Sequence, residues 1–222
     1  MAQFFSQYGP LLAEGVWESV YMTLATTALA YVLGLPMGVL HTVTKAGGVA
    51  PAPRFNAVFG WLVNLLRSLP FIILMFFIIP FTRLLVGTSI GATAALVPLT
   101  LSAAPFIARM VEQSLAGVDP SLVEAGQSFG ANTWQIVYKV YLRESLPSLI
   151  RGAAITFVTL FGFAAMAGCV GAGGLGDIAI RYGYQRYQPD VMVGALLLCI
   201  VVVQLAQSLG DWLADRFNHK VR

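Results

Sequence analysis

The sequence predicts an all-α, polytopic integral membrane protein of about five transmembrane helices, with one long helix–glycine–helix loop between two of them. Three observations predict it. Of 222 residues, 58% are hydrophobic and only 10% charged, with mean hydropathy +0.77, whereas a soluble domain carries about 25% charged residues. Apolar runs of about 20 residues, long enough to cross a bilayer core, recur with short breaks between them. One break, from about Glu112 to Pro147, is longer than the rest and carries helix signals of its own. No room is left for a separate soluble domain, so residues 1–222 read as a single transmembrane domain.

Residues Met1 to Gly15 mix Phe4, Phe5, Tyr8, Leu11 and Leu12 with polar residues and hold no Lys or Arg. A secretory signal would begin with positive charge, so this start reads as an interfacial segment ahead of a retained first span. That span runs from about Val16 to Leu40, and Gly34, Pro36 and Gly38 near its end predict a kink or close packing. A short loop, residues 41–54, carries Lys45, Pro51, Pro53 and Arg54. The second span covers about Phe55 to Ile79 and is interrupted by Arg67, Ser68 and Pro70. The third runs from about Ile90 to Arg109, the fourth from Pro147 to near Ala167, and the fifth from Val191 to about Gly210. A loop rich in Gly and Tyr, Cys169 to Asp190, separates the last two, and Asp211 to Arg222 form a polar tail.

Within the long break, Asp119-Pro120 is a helix start, because Asp caps free N–H groups and Pro fits the first turn. Ser121 to Phe129 read as a short helix with Glu124 towards its positive end, and Gly130 fits the left-handed position just past it. Asn132 or Thr133 caps a second helix, Trp134 to about Arg143. Trp134, Tyr138 and Tyr141 fall at i, i+4 and i+7, which places them on one face as an aromatic stripe suited to a protein partner.

These residues carry a resemblance. Glu124-Ala125-Gly126, Gly130 six residues after the glutamate, Leu142 and Leu146-Pro147 resemble the EAA loop of ABC-importer permeases. The third triplet position is Gly126 where the family has Ala, and Leu-Pro comes four residues after Leu142. Arg67-Ser68-Leu69-Pro70 resembles the Arg-Ser-x-Pro stretch of amino-acid importer permeases, methionine permeases in particular. Ala165 to Gly176, followed by Tyr182-Gly183-Tyr184, resembles the end of the fourth core helix and the outer loop of methionine-type permeases.

The resemblance implies the permease subunit of a binding-protein-dependent, ATP-driven importer of methionine in the bacterial inner membrane, working by alternating access. It implies a second copy of the chain, two cytosolic ABC ATPase subunits and an external solute-binding protein as partners, besides membrane lipid. ATP and Mg would be bound by the partner ATPase, with no cofactor in this chain, which would not itself be an enzyme. Glu124, Ala125, Gly126, Gly130, Trp134 and Tyr138 would meet the ATPase through a coupling helix. Met166 and Arg67 are the candidates for the translocation pathway. An Arg near a span's centre costs about 2.5–3.5 kcal/mol on insertion scales, so Arg67 should face protein or water. Met166 is the one long side chain among Ala164, Ala165, Ala167 and Gly168; on a twofold axis it would meet its own copy and plug the pathway. The alternative for Met166 is packing within one subunit. A permease for another small amino acid or oxoanion, and a membrane channel or scaffold without ATP coupling, are the other functions compatible with these residues.

Orientation follows from Lys and Arg alone. If the 41–54 loop, the 109–151 region and the tail share one side, that side holds Lys45, Arg54, Arg109, Lys139, Arg143, Arg151, Arg216, Lys220 and Arg222. The opposite side holds Arg83, Arg181 and Arg186, and nine against three puts the N-terminus outside and the long loop and C-terminus in the cytoplasm.

Several chemistries find no support. No GxxxxGK[ST] pattern occurs, so ATP-driven transport would need a partner to supply the nucleotide site. Gly171, Gly173 and Gly176 match GxGxxG, but no strand–helix unit surrounds them. Cys169 and Cys199 have neither metal-ligand nor disulfide spacing, and the net charge of +3 is too scattered for nucleic acid. His41 and His219 show no carboxylate partner within the spans, and every Asp and Glu falls near a span end or in a loop.

Overall fold

The computed structural model describes residues 2–217, with side chains from residue 7 onward. His219, Lys220 and Arg222, and the side chains of Phe4 and Phe5, lie outside the described residues. All regular elements among the described residues are helical. They are α1 (Ala2–Thr44), α2 (Pro53–Arg67), α3 (Phe71–Phe77), α4 (Ile79–Val86), α5 (Ala92–Ala116), α6 (Pro120–Ser128), α7 (Thr133–Ile136), α8 (Leu142–Glu144), α9 (Leu146–Gly168), α10 (Gly174–Ile178) and α11 (Pro189–Arg216). Two π-helical turns, Val137–Tyr141 and Ala179–Tyr184, follow α7 and α10.

Helices α1, α5, α9 and α11 are each long and apolar enough to cross a membrane, and the bent pair α2 and α3 makes a fifth span if counted as one. This is the polytopic all-α architecture expected. The first element differs from expectation in length. It is one helix of 43 residues, about 65 Å at 1.5 Å per residue against a hydrocarbon core of about 30 Å. The interfacial segment is thus a helical extension of the first span.

The second span also differs. Arg67 is the last residue of α2, and the chain leaves the helix through Ser68 (φ −78°, ψ −9°) to an extended Pro70 (φ −61°, ψ 127°). Proline lacks the N–H that would continue the ladder and pushes the residue before it out of the helical region. The Ser68 hydroxyl donates to Leu65 O at 2.7 Å, closing the end. Arg67 is therefore an exposed helix-terminal charge where a position within the span was expected, and its sign suits the negative end of the helix dipole.

The chain forms two compact units, each drawing on separate stretches of sequence. The first comprises Met1–Leu29, Leu69–Ala103 and Thr156–Gln207. Its core has one cluster around Met22, Phe71, Met75, Leu99 and Ala164, with Phe71 stacked on Phe163 at 5.0 Å. A second cluster gathers Leu12, Phe157, Phe161, Leu175, Ile178 and Val191. The glycine-rich stretch enters the same unit as α10. The Glu18 carboxylate accepts from Gly174 N at 2.6 Å, and the Ser19 hydroxyl from Leu175 N at 2.9 Å.

The second unit comprises Ala30–Ser68, Ala104–Ile155 and Ser208–Arg222. Its spine is a close, parallel contact between α1 and α5. A Cβ at Gly34 would lie 2.7 Å from Ala104 O, and one at Gly38 would lie 2.5 Å from Ala108 O. Small residues spaced four apart let the two backbones meet, so at Gly34 and Gly38 the close-packing expectation holds. Helix α9 joins through Tyr31 Oη, 3.3 Å from Leu149 O, and α11 through Arg151 Nη2, 2.6 Å from Asp215 Oδ1.

Candidate functional site

The long loop between α5 and α9 is built from local signals. Asp119 caps α6, its carboxylate accepting from Ser121 N at 2.9 Å, with Pro120 in the first turn. Helix α6 then ends in two reversed bonds, Gly130 N to Gln127 O at 2.9 Å and Ala131 N to Gly126 O at 3.0 Å. That pair defines a Schellman ending, which needs a left-handed residue, and Gly130 supplies it at φ +76°. Asn132 starts α7 with a reciprocal capping box. Its side chain accepts from Gln135 N, and Gln135 Oε1 accepts from Asn132 N, both at 2.9 Å. Such a cap is worth about 1 kcal/mol, enough to fix the angle between two short helices.

Gly126 lies where the first helix crosses the second. A Cβ there would meet Ile136 Cγ1 at 3.7 Å and Val140 Cγ2 at 3.9 Å, which is ordinary contact. The departure from Ala at the third triplet position is thus sterically neutral. Glu124 and Ala125 are exposed, and no residue of α6 is buried. The helix lies on the surface, beside a cavity of about 250 Å³ lined by Lys45, Leu115, Val118, Glu124, Gln127 and Tyr141.

The aromatic stripe is shorter than expected. Trp134 and Tyr138 are 81% and 75% exposed, but Tyr141 is 7% exposed and belongs to the core. The cause is the π turn Val137–Tyr141. A π turn takes more residues than an α turn, so position i+7 rotates away from the face that i and i+4 share. Burial pushes the Tyr141 phenol above its ordinary pKa. Ile136 and Val137 are buried alongside, anchoring the second helix while Trp134 and Tyr138 face out. Phe129, 92% exposed just before Gly130, completes the outward apolar set. Sequence reasoning placed it only as a helix end, although an aromatic residue beside a turn glycine in a polar loop was a usable signal.

Met166 is 43% exposed near the end of α9, between buried Ala164 and Ala167. The small residues around it do permit close approach, and within this chain the approaching backbone is that of α10. A Cβ on Gly168 would overlap Asp177 N and Gly176, and one on Gly176 would overlap Ala165. Met166 itself faces outward on a stripe with Ile155, Gly162 and Cys169. Arg67 stands apart from this segment in sequence and in unit. His41 does have a carboxylate partner, contrary to expectation: its Nδ1 is 3.1 Å from Glu112 Oε1. No group of three or more metal-ligating side chains occurs among the described residues.

Comparison with known proteins agrees with this geometry. Residues 30–222 match the family model described as binding-protein-dependent transport system inner membrane component. A Vibrio cholerae protein named "Probable D-methionine transport system permease protein MetI" is 48% identical over 220 residues, covering 99% of this chain and 98% of its own. The Escherichia coli K12 D-methionine transport system permease protein MetI is 50% identical over 158 residues, 71% of this chain and 73% of its own. A solved chain described under inward facing conformations of the MetNI methionine ABC transporter superposes with TM-score 0.94 at 47% identity, covering 96% of this chain and 99% of that one.

Proposed function

We propose, from the premise that the chain belongs to the family of binding-protein-dependent transport system inner membrane components, that it is the permease subunit of an ATP-driven methionine importer. The observation that carries this reading is 48% identity over 220 residues, 98% of the length of a relative named as a D-methionine transport system permease protein. Five spans supply one half of a pathway, and a second copy related by twofold symmetry completes it. Each copy presents one helix–glycine–helix loop to one of two cytosolic ATPase subunits, which bind ATP and Mg. An external binding protein delivers the solute.

In this arrangement α6 is the coupling helix. Glu124, Ala125 and Gly126 lie on it, Gly130 fixes its ending, and Trp134 and Tyr138 offer apolar surface beside it. Closure of the ATPase pair moves α6, and the spans exchange inward- for outward-facing states because the loop binds the two states differently. Met166 closes the pathway at the outer end of α9 against its own copy, and Arg67, the last residue of α2, is the second candidate for the translocation pathway. The N-terminus lies outside, and the coupling loop and C-terminus lie in the cytoplasm.

The test is uptake of labelled methionine into proteoliposomes holding the permease, its ATPase and the binding protein. Uptake should require ATP and all three components. Methionine-independent behaviour, or accumulation of a different amino acid or oxoanion alone, would overturn the substrate assignment.

A further inference from the structure

The contact between α1 and α5 ends in a cluster of charged groups at the point where the chain leaves α5 for the coupling loop. Gly34 faces Ala104 and Ile107, and Gly38 faces Ala108 and Val111. One turn further, His41 faces Glu112. Glu112 uses both carboxylate oxygens: Oε1 lies 3.1 Å from His41 Nδ1 and Oε2 lies 2.5 Å from Arg109 Nη1. The three side chains are 14%, 24% and 32% exposed, enclosed enough to escape most solvent screening. The His41 contact is a close approach of Nδ1 to the carboxylate and not an aligned hydrogen bond.

His41 is also held from the α2 side. A Cβ at Gly60 would lie 2.5 Å from its Nε2, and the Phe59 ring is 6.1 Å from the imidazole. Asn56 Nδ2 donates to His41 O at 2.6 Å and to Thr44 Oγ1 at 3.0 Å. One imidazole and one carboxylate therefore tie three helices at one level. Only Gln113 to Val118 separate that level from the Asp119 cap of the coupling helix.

We propose that Glu112 is a positioning residue for coupling: by gripping His41 it makes α1 and α2 move with α5 when the coupling helix is displaced. The proposal rests on the importer reading above. Without the grip, α6 can still seat on the ATPase and permit hydrolysis, but α5 slides past α1 and the displacement is not passed on. The expected signature is ATP hydrolysed without solute moved.

The experiment measures uptake and ATP hydrolysis together in proteoliposomes of the complete importer. Glu112→Ala and His41→Ala should each raise the ATP hydrolysed per methionine imported at least fivefold, with the permease–ATPase complex intact on size exclusion. The double variant should be no worse than Glu112→Ala, because that substitution already removes the His41–Glu112 contact. Glu112→Gln, which keeps an acceptor for one partner, should fall between. If Glu112→Ala fails to assemble, His41→Ala decides, since it leaves the Arg109–Glu112 pair in place. Wild-type stoichiometry in His41→Ala, or single effects that multiply in the double variant, would overturn the proposal. Absence of uptake by the wild-type importer would instead count against the importer reading.

Discussion

Gly130 offers the cleanest test of the coupling loop, because strain is the only cost of replacing it. Its φ of +76° is left-handed, and a Cβ added there meets nothing within 4 Å. A side chain would therefore be free of clashes and would pay only the backbone cost, about 1–2 kcal/mol for an L-residue in that region. Asn tolerates it best, Ala should cost about 1 kcal/mol, and Val the most because its branched Cβ resists positive φ. The loop's alternative is to give up the Gly130 N–Gln127 O and Ala131 N–Gly126 O bonds, letting α6 and α7 splay. At tenfold per 1.4 kcal/mol, affinity of the permease for its ATPase should fall about fivefold for Gly130→Ala and about thirtyfold for Gly130→Val. Gly130→Asn should stay close to wild type. Titration of the ATPase subunit against detergent-solubilised permease reads the series directly. Equal losses for Asn, Ala and Val would refute the strain argument, and wild-type affinity in Gly130→Val would remove the loop from the interface.

Gly126→Ala should keep full transport and raise the stability of α6, by up to about 1 kcal/mol from helix propensity, whereas Gly126→Leu should lose ATPase binding. Thermal unfolding and the same titration separate the two. Cysteines introduced at Lys45 and Gln135 should resist an impermeant thiol reagent applied to intact cells, and one at Gln185 should react; labelling at Gln135 would refute the orientation. Met166→Cys should form a disulfide between two copies in the ATP-free importer, and trapping with ATP should diminish it. An assembled importer that never cross-links at rest would return Met166 to packing within one subunit.

The features legible in the sequence are those fixed over a few residues. Asp119-Pro120, Gly130 and the Asn132 cap act through neighbours within about one helical turn, and each appears where expected. The π turn at Val137–Tyr141 was not legible, because it depends on how Ile136, Val137 and Tyr141 meet the core; it removed Tyr141 from the outward stripe. Arg67 looked mid-span because composition counts apolar residues without locating helix ends. Ser68 and Pro70 were visible in the sequence, but only the backbone shows that together they terminate α2. The His41–Glu112 pair joins residues 71 positions apart, so no local spacing could announce it. Gly34 and Gly38 signalled close packing, while their partner on α5 became identifiable only from the fold.

The faces left open on α9 and α11 differ in a way that bears on the second copy. Helix α11 is the least enclosed long helix, with 11% of its apolar stretch buried against 56% for α5. Its open residues are bulky and aliphatic, among them Leu196, Leu197, Ile200 and Val201, as a lipid-facing surface requires. The open stripe of α9 is different in kind: Ile155 and Met166 flank Gly162, Cys169 follows just past the helix, and a Cβ at Gly162 meets nothing within 4 Å. Lipid gains nothing from a glycine in its path, whereas small residues allow another helix backbone to come near. The same stripe lies on the helix that leaves the coupling loop at Leu146 and runs unbroken to Gly168. A second copy packed along it would meet Met166 beside the small residues, which is why the cross-linking of Met166→Cys tests the pairing and the gate together.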